Sequence, residues 1–176
     1  NGVDGFKLDP ARTIDEHPTR EYYNGRTDKE MHNMNQILLP KQMNLMSRGH
    51  LGRRTWHHYT AGWAGTQHWG ASTSGDNGGD RTALFDQLNL GMSGFMNTSC
   101  DVLWVANGDL EMPGLHFGLF LPWVQVNSWY ALFHPFYFPE DVKNIYRDYV
   151  KLRYSLMPYI YSAALEGGQT GMPIVR

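Results

Sequence analysis

Two carboxylates stand where chemistry is easiest to build. The first closes the stretch Asn1-Gly-Val-Asp-Gly-Phe-Lys-Leu-Asp9. Val3, Phe6 and Leu8 are apolar, Gly5 permits close packing, and Asp9 falls where the apolar run stops. That pattern predicts a buried parallel strand ending in a carboxylate. In a barrel of parallel strands the chemistry sits at the carboxyl ends of the strands, so Asp9 is a nucleophile candidate. An Asp before Pro10 can also do no more than cap a turn. The second carboxylate, Asp76, closes another short strand-like run, in Thr73-Ser74-Gly75-Asp76-Asn77-Gly78-Gly79. An Asp in a Gly-rich turn is often structural. Two such groups, each delivered by a strand end, make a shared site worth seeking.

The elements that must position them follow from periodicity. Residues 3–9 read as the first strand and residues 10–26 as a long polar loop, where substrate contacts accumulate in barrels. Thr27-Asp28-Lys29-Glu30 reads as a capping box. Met31, Met34, Ile37 and Leu38 form the apolar face of the helix it opens. Pro40 should kink or interrupt that helix, and Gly49 is its expected stop. Residues 54–60 are β-prone and form the next strand. Residues 61–70 are a Gly-rich turn region, and residues 71–75 form the short strand that delivers Asp76. A helix over residues 80–92 should carry Leu84, Leu88 and Met92 on one face. Residues 93–101 end in Asp101, and residues 103–116 read as a loop. Pro139-Glu140-Asp141 opens a long helix that Pro158 should bend. Strands alternating with helices predict an α/β fold with a parallel sheet.

Composition narrows the classes. The chain has 176 residues and a formal charge of −2. With no basic stripe, a nucleic-acid partner is not expected. No run approaches the ~18 apolar residues of a membrane span. The single cysteine, Cys100, excludes a disulfide framework within the chain. Aromatic residues reach 14%, with six Trp and ten Tyr. Such residues serve sugar-stacking faces and ordinary cores alike.

The motifs, taken in order, resemble glycoside hydrolase family 31, whose best-known members are α-glucosidases. Asp4-Gly5-Phe6-Lys7-Leu8-Asp9 resembles the family's D-G-(aromatic)-x-x-D, and Gly75-Asp76-Asn77 its G-D-N. His32-Asn33 resembles the His-Asn pair of a family helix. Residues 61–70 resemble R-S-x-F-A-G-x-Q-R-Y. Residues 93–101 resemble S-G-x-P-x-x-G-x-D, and Trp123-Val124-Gln125 resembles R-W-x-Q. Residues 152–162 are close to L-R-Y-x-L-x-P-Y-I-Y-S, and residues 171–176 resemble the G-x-P-x-x-R at the barrel's end. The resemblance implies a (β/α)8 TIM barrel. The chain is short of the ~250 residues of a complete barrel. It is therefore expected to be a fragment, with residues 1–176 forming the C-terminal part of the catalytic barrel.

The resemblance also implies a retaining, exo-acting α-glycosidase working through a glycosyl-enzyme intermediate. Retention needs two carboxyl groups ~5–5.5 Å apart. By resemblance Asp9 is the nucleophile and Asp76 the general acid/base. Asp101 would bind substrate hydroxyls and His134 would hold a sugar hydroxyl, while Trp63, Trp69, Trp123 and Trp129 could offer stacking faces, with most of them expected in the core. A carbohydrate is the expected partner. No cofactor is expected, and no metal: no H-x-x-x-H or Cys cluster occurs, and His57 and His58 are adjacent on a strand and so point to opposite faces.

Departures from the family pattern concern the sugar. Lys7 replaces an aromatic, Thr60 an Arg, Thr73 a Trp and Pro122 the Arg of R-W-x-Q. The Glu of the family's D-M-N-E has no counterpart after Asp9. Lys7-x-Asp9 resembles the K-x-D of related α-galactosidase families, and an ammonium can donate to an axial 4-hydroxyl. The two threonines would widen the pocket. A galacto-configured substrate, an α-galactoside or α-N-acetylgalactosaminide, is therefore expected. An α-glucosidase, a transglycosylase on the same scaffold and an inactive carbohydrate-binding homologue are the alternatives.

Overall fold

The computed structural model describes residues 2–9, 19–60, 62–75, 81–101, 105–106, 109–110, 112–124 and 138–176. Two compact units are present, residues 1–72 and 73–176. The division falls inside a strand.

The first unit begins with β1 (Gly5–Leu8) and continues through α1 (Asp28–Leu51) to β2 (Trp56–Tyr59). A 3-10 turn at Thr66–His68 follows, then β3 (Ala71–Thr73). β1 pairs parallel with β2, in the register Phe6↔His57, Lys7↔His58 and Leu8↔Tyr59. β2 pairs parallel with β3, in the register His58↔Ala71 and Tyr59↔Ser72. Gly5 is required by packing. A Cβ there would run into the Trp56 carbonyl of the neighbouring strand.

The capping box forms as the sequence predicts. The Thr27 N–H and hydroxyl both donate to Glu30 Oε2 at 2.9 Å. These bonds hold the Glu30 carboxyl below its usual range. Asp28 is buried and accepts from Arg20 Nη1 at 2.9 Å and from the Tyr22 hydroxyl at 2.7 Å, tying the loop before α1 to its first turn. Neither an interruption at Pro40 nor a stop at Gly49 occurs in α1. Pro40 is buried inside a helix that continues past it. The stop is Gly52, at φ 64°, whose N–H caps the Arg48 carbonyl. Gly49 keeps helical geometry, while Gly52 takes the left-handed conformation that glycine tolerates best.

The second unit holds α2 (Arg81–Met92), β4 (Thr98–Ser99), a hairpin of β5 (Val105–Ala106) and β6 (Asp109–Leu110), α3 (Met112–Phe120) and α4 (Glu140–Thr170). The sheet order is β1-β2-β3-β4. The stretch expected as a loop over 103–116 thus contains a hairpin and the start of a helix. The face of α2 that carries Leu84, Leu88 and Met92 is not the most buried one. Ala83, Gln87 and Gly91 are buried, whereas Leu84 is 37% and Met92 86% exposed. Close approach decides this: a Cβ on Gly91 would press on Pro173, and Gln87 Nε2 donates to Ser74 Oγ at 2.9 Å. Small and hydrogen-bonding residues let the helix sit near its neighbours, which the leucines would not. α4 continues past Pro158 and ends at Gly171. Leu115, Leu119 and Phe138 form the core here, packed by Val142, Tyr146 and Val150 of α4.

Two outcomes follow. Gly5→Ala in the complete protein should destabilise it by ~3 kcal/mol, because backbone opposes the new methyl. Gly49→Ala, with open space around it, should stabilise it by ~0.5–1 kcal/mol; denaturant melts of both variants check the pair. The second outcome concerns His57, which is 1% exposed and accepts the Phe6 N–H on Nδ1 at 3.1 Å. Burial pushes its pKa below the ordinary value. The unfolded chain then binds more protons than the folded one once pH falls below ~6.5. Stability is intact above that value and is lost as pH falls toward the folded pKa. In His57→Gln this part of the pH-dependence should be smaller, read from denaturant midpoints across the acid range.

Candidate functional site

Strand register aligns the ends that carry the candidate residues. Leu8, Tyr59 and Ser72 lie side by side. Asp9, Thr60 and Thr73 are each the next residue along their strands. Side chains alternate along a strand, so Lys7 and Asp9 share a face with His58 and Thr60. Phe6 stacks on His57 on the opposite face, with ring centroids 5.8 Å apart.

In the first unit three predicted residues meet. Lys7 Nζ lies 3.8 Å from Asp9 Oδ2, and Thr60 Oγ1 lies 3.4 Å from Asp9 Oδ1. The Asp9 side chain is 47% exposed and that of Lys7 27%, so the carboxylate is reachable while a cation and a hydroxyl flank it. Asp4, the other acid close to Lys7 in sequence, pairs instead with Arg53. Trp63 stands beyond Thr60 with its residue surface 54% exposed. His58, which the sequence did not single out as a site residue, is 3% exposed and in register with Lys7 on the Asp9 face. Its ring stacks on Trp56 at 4.9 Å. The period-2 alternation of the strand was the signal that placed it there.

In the second unit Thr73 and Asp101 form one device. Thr73 Oγ1 donates to Asp101 Oδ1 at 3.1 Å, and both residues are buried, at 3% and 1% exposure. The Gly75 N–H donates to Thr73 Oγ1 at 3.3 Å, and the Asp101 N–H donates to the Gly75 carbonyl at 3.0 Å. The turn 73–75 that leads into Asp76 is therefore held by the end of β4. Gly75 has φ 91°, which explains a glycine directly before that Asp.

Trp123 follows α3 in a bend. Its carbonyl accepts from Ser99 Oγ at 2.7 Å. Arg153 of α4 caps the end of α3, donating to the carbonyls of Leu119, Leu121 and Pro122 at 2.7, 2.6 and 3.0 Å. Asp76, Trp129 and His134 lie outside the described residues. Among the described residues, no group of three His, Cys, Asp or Glu could hold a metal ion, and no helix is long and apolar enough to cross a membrane.

A parallel sheet connected by helices, with polar and carboxylate residues at its strand ends, is the arrangement of part of a β/α barrel. A sequence profile for the Glycosyl hydrolases family 31 TIM-barrel domain matches residues 1–163, and the chain belongs to that family. It is 28% identical over 161 residues to Alpha-glucosidase 2 of Bacillus thermoamyloliquefaciens, covering 86% of this chain and 20% of the relative. It is 26% identical over 193 aligned positions to Alpha-xylosidase of Emericella nidulans, covering 99% of this chain and 23% of the relative. A family 31 sulfoquinovosidase from E. rectale, solved with an aza-sugar inhibitor, superposes with a TM-score of 0.76 at 22% identity, over 98% of this chain and 28% of that one. The chain thus spans about a fifth of the length of these curated relatives.

Thr73→Val removes a donor from a buried carboxylate while keeping side-chain shape. It should cost about 1–3 kcal/mol, and Thr73→Ser less than half of that. Chemical denaturation of the complete protein measures both.

Proposed function

We propose that this chain supplies part of the catalytic barrel of a retaining, exo-acting α-glycosidase, with Asp9 as nucleophile and Asp76 as general acid/base. The observation that carries the reading is the environment of Asp9. It ends a parallel strand, stays reachable, and has the Lys7 ammonium and the Thr60 hydroxyl beside its two oxygens.

The chemistry runs in two displacements. Asp9 attacks the anomeric carbon while Asp76 gives its proton to the departing oxygen. A covalent glycosyl-enzyme forms with inverted configuration. Asp76, now a base, takes a proton from water, and the water opens the ester with a second inversion. Lys7 and Thr60 hold hydroxyls of the bound sugar close to the bond that breaks. Trp123 and His134 contribute further contacts, and Asp101, buried against Thr73, holds the turn before Asp76.

The substrate is galacto-configured, an α-galactoside or α-N-acetylgalactosaminide. Lys7 supports this, since its three donors can meet an axial 4-hydroxyl. Thr60 and Thr73 support it too, because they are smaller than the Arg and Trp they replace and leave room for an N-acetyl group. The name of the bacterial relative favours an α-glucosidase as the second reading.

The complete protein, assayed on aryl α-glucoside, α-galactoside and α-N-acetylgalactosaminide, should show its highest kcat/KM on a galacto-configured substrate. A gluco preference would retire the Lys7 argument and leave the carboxylate roles standing. Asp9→Asn should lower kcat about 1000-fold or more on the best substrate. Unchanged turnover in that variant would remove Asp9 from its role.

A further inference from the structure

The loop between β2 and β3 combines a pinned backbone with an exposed ring. Thr66 has no exposed surface. Its N–H donates to the Trp63 carbonyl at 2.9 Å, and its Oγ1 accepts the Trp63 N–H at 3.1 Å. Both backbone groups of Trp63 are therefore held by one residue. The same Oγ1 donates to the Gln36 carbonyl of α1 at 3.2 Å. Further along, the Trp69 carbonyl accepts from Asn44 Nδ2 of α1 at 2.9 Å and from the Tyr59 hydroxyl. The Lys41 ammonium lies over the Trp69 ring, 5.5 Å from its centroid. Trp69 is thus folded back onto the helix.

Trp63 is the contrast. Its backbone is fixed, yet the residue is 54% exposed. A large apolar surface left in water contributes little to folding, and the pinned backbone beneath it is ordered before a ligand arrives, which lowers the conformational entropy that binding costs. Indole presents a broad face to apolar surface and a polar N–H at its rim, which suits the C–H face of a pyranose. Trp63 is three residues beyond Thr60, whose hydroxyl touches Asp9. An exo-acting enzyme encloses the sugar it releases, whereas the leaving group extends into the open mouth. An open ring at the strand end fits the second position.

We propose that Trp63 is a stacking platform for the leaving-group sugar and that Thr66 is the positioning residue that presents it. This rests on the α-glycosidase reading for the identity of the ligand. A Thr66 without its hydroxyl releases both the Trp63 N–H and the link to α1, while the ring itself is unchanged.

The test uses the complete protein and sulfur-linked α-disaccharides that resist hydrolysis, with glucose and N-acetylgalactosamine in turn as the glycone, alongside each free monosaccharide. Calorimetry gives Kd for wild type, Trp63→Ala, Thr66→Val and Thr66→Ser. Trp63→Ala should weaken the preferred disaccharide about tenfold, a loss of about 1.4 kcal/mol, and leave the monosaccharide within about twofold. Thr66→Val should weaken the disaccharide about fivefold, and Thr66→Ser should restore it, because serine keeps the hydroxyl. Equal weakening of mono- and disaccharide, an unchanged disaccharide Kd in Trp63→Ala, or a wild type that binds the disaccharide no better than the monosaccharide would each overturn the platform. Turnover of the matching α-glycosyl fluorides, which carry no leaving-group sugar, tests the hydrolase reading separately. A wild type that shows the binding contrast but cleaves no fluoride keeps the platform and loses the hydrolase. Thr66→Ser and Trp63→Ala keep the proposal testable if Thr66→Val fails to fold.

Discussion

Tyr59 lies in register with Leu8 on one side and Ser72 on the other, and the candidate site depends on that alignment. Parallel strands slipped by one residue would turn every side chain to the opposite face. Lys7, Asp9 and Thr60 would then no longer share a surface. The register is maintained from both faces. Gly5 admits the Trp56 carbonyl, Phe6 and His57 stack, and the buried Tyr59 reaches the Trp69 carbonyl. Residues that perform no chemistry thus determine where the chemistry can occur.

A second constraint recurs in the connections. Backbone that leaves a strand or helix end must find partners for its N–H and C=O groups. Here the partners are side chains from neighbouring elements. Thr66 ties the β2–β3 loop to Gln36, Asp101 and Thr73 brace the turn before Asp76, and Arg153 gathers three carbonyls where α3 ends. The first and third ties lie beside Trp63 and Trp123, which have proposed roles, and the second holds the turn that precedes Asp76 in the sequence. Loops built this way are held by hydrogen bonds from neighbouring elements.

The family provides a common barrel for several sugars, as the names of an α-glucosidase, an α-xylosidase and a sulfoquinovosidase among its similar proteins indicate. Such variety is expected when a sheet fixes the catalytic strand ends and the side chains around them vary. Lys7 and Thr60 stand beside a carboxylate whose position the sheet maintains.

Local pattern was enough for β1, β2 and β3, the capping box of α1 and the carboxylate that ends β1, though not for the β5–β6 hairpin. Those features arise from residues within a few positions of each other, where alternation and turn chemistry dominate. The ordered series of motifs likewise carried the family and the barrel. Tertiary structure decided what local pattern could not. It turned α2 so that Ala83, Gln87 and Gly91 face inward, because close approach outweighed the leucines. It carried α1 past Gly49 to Gly52, where the left-handed conformation is adopted. It paired Thr73 with Asp101 and Thr66 with Gln36, contacts spanning 28 and 30 residues. Hydrogen bonds of that reach leave no periodic trace in a sequence, since only the packed fold brings their partners together.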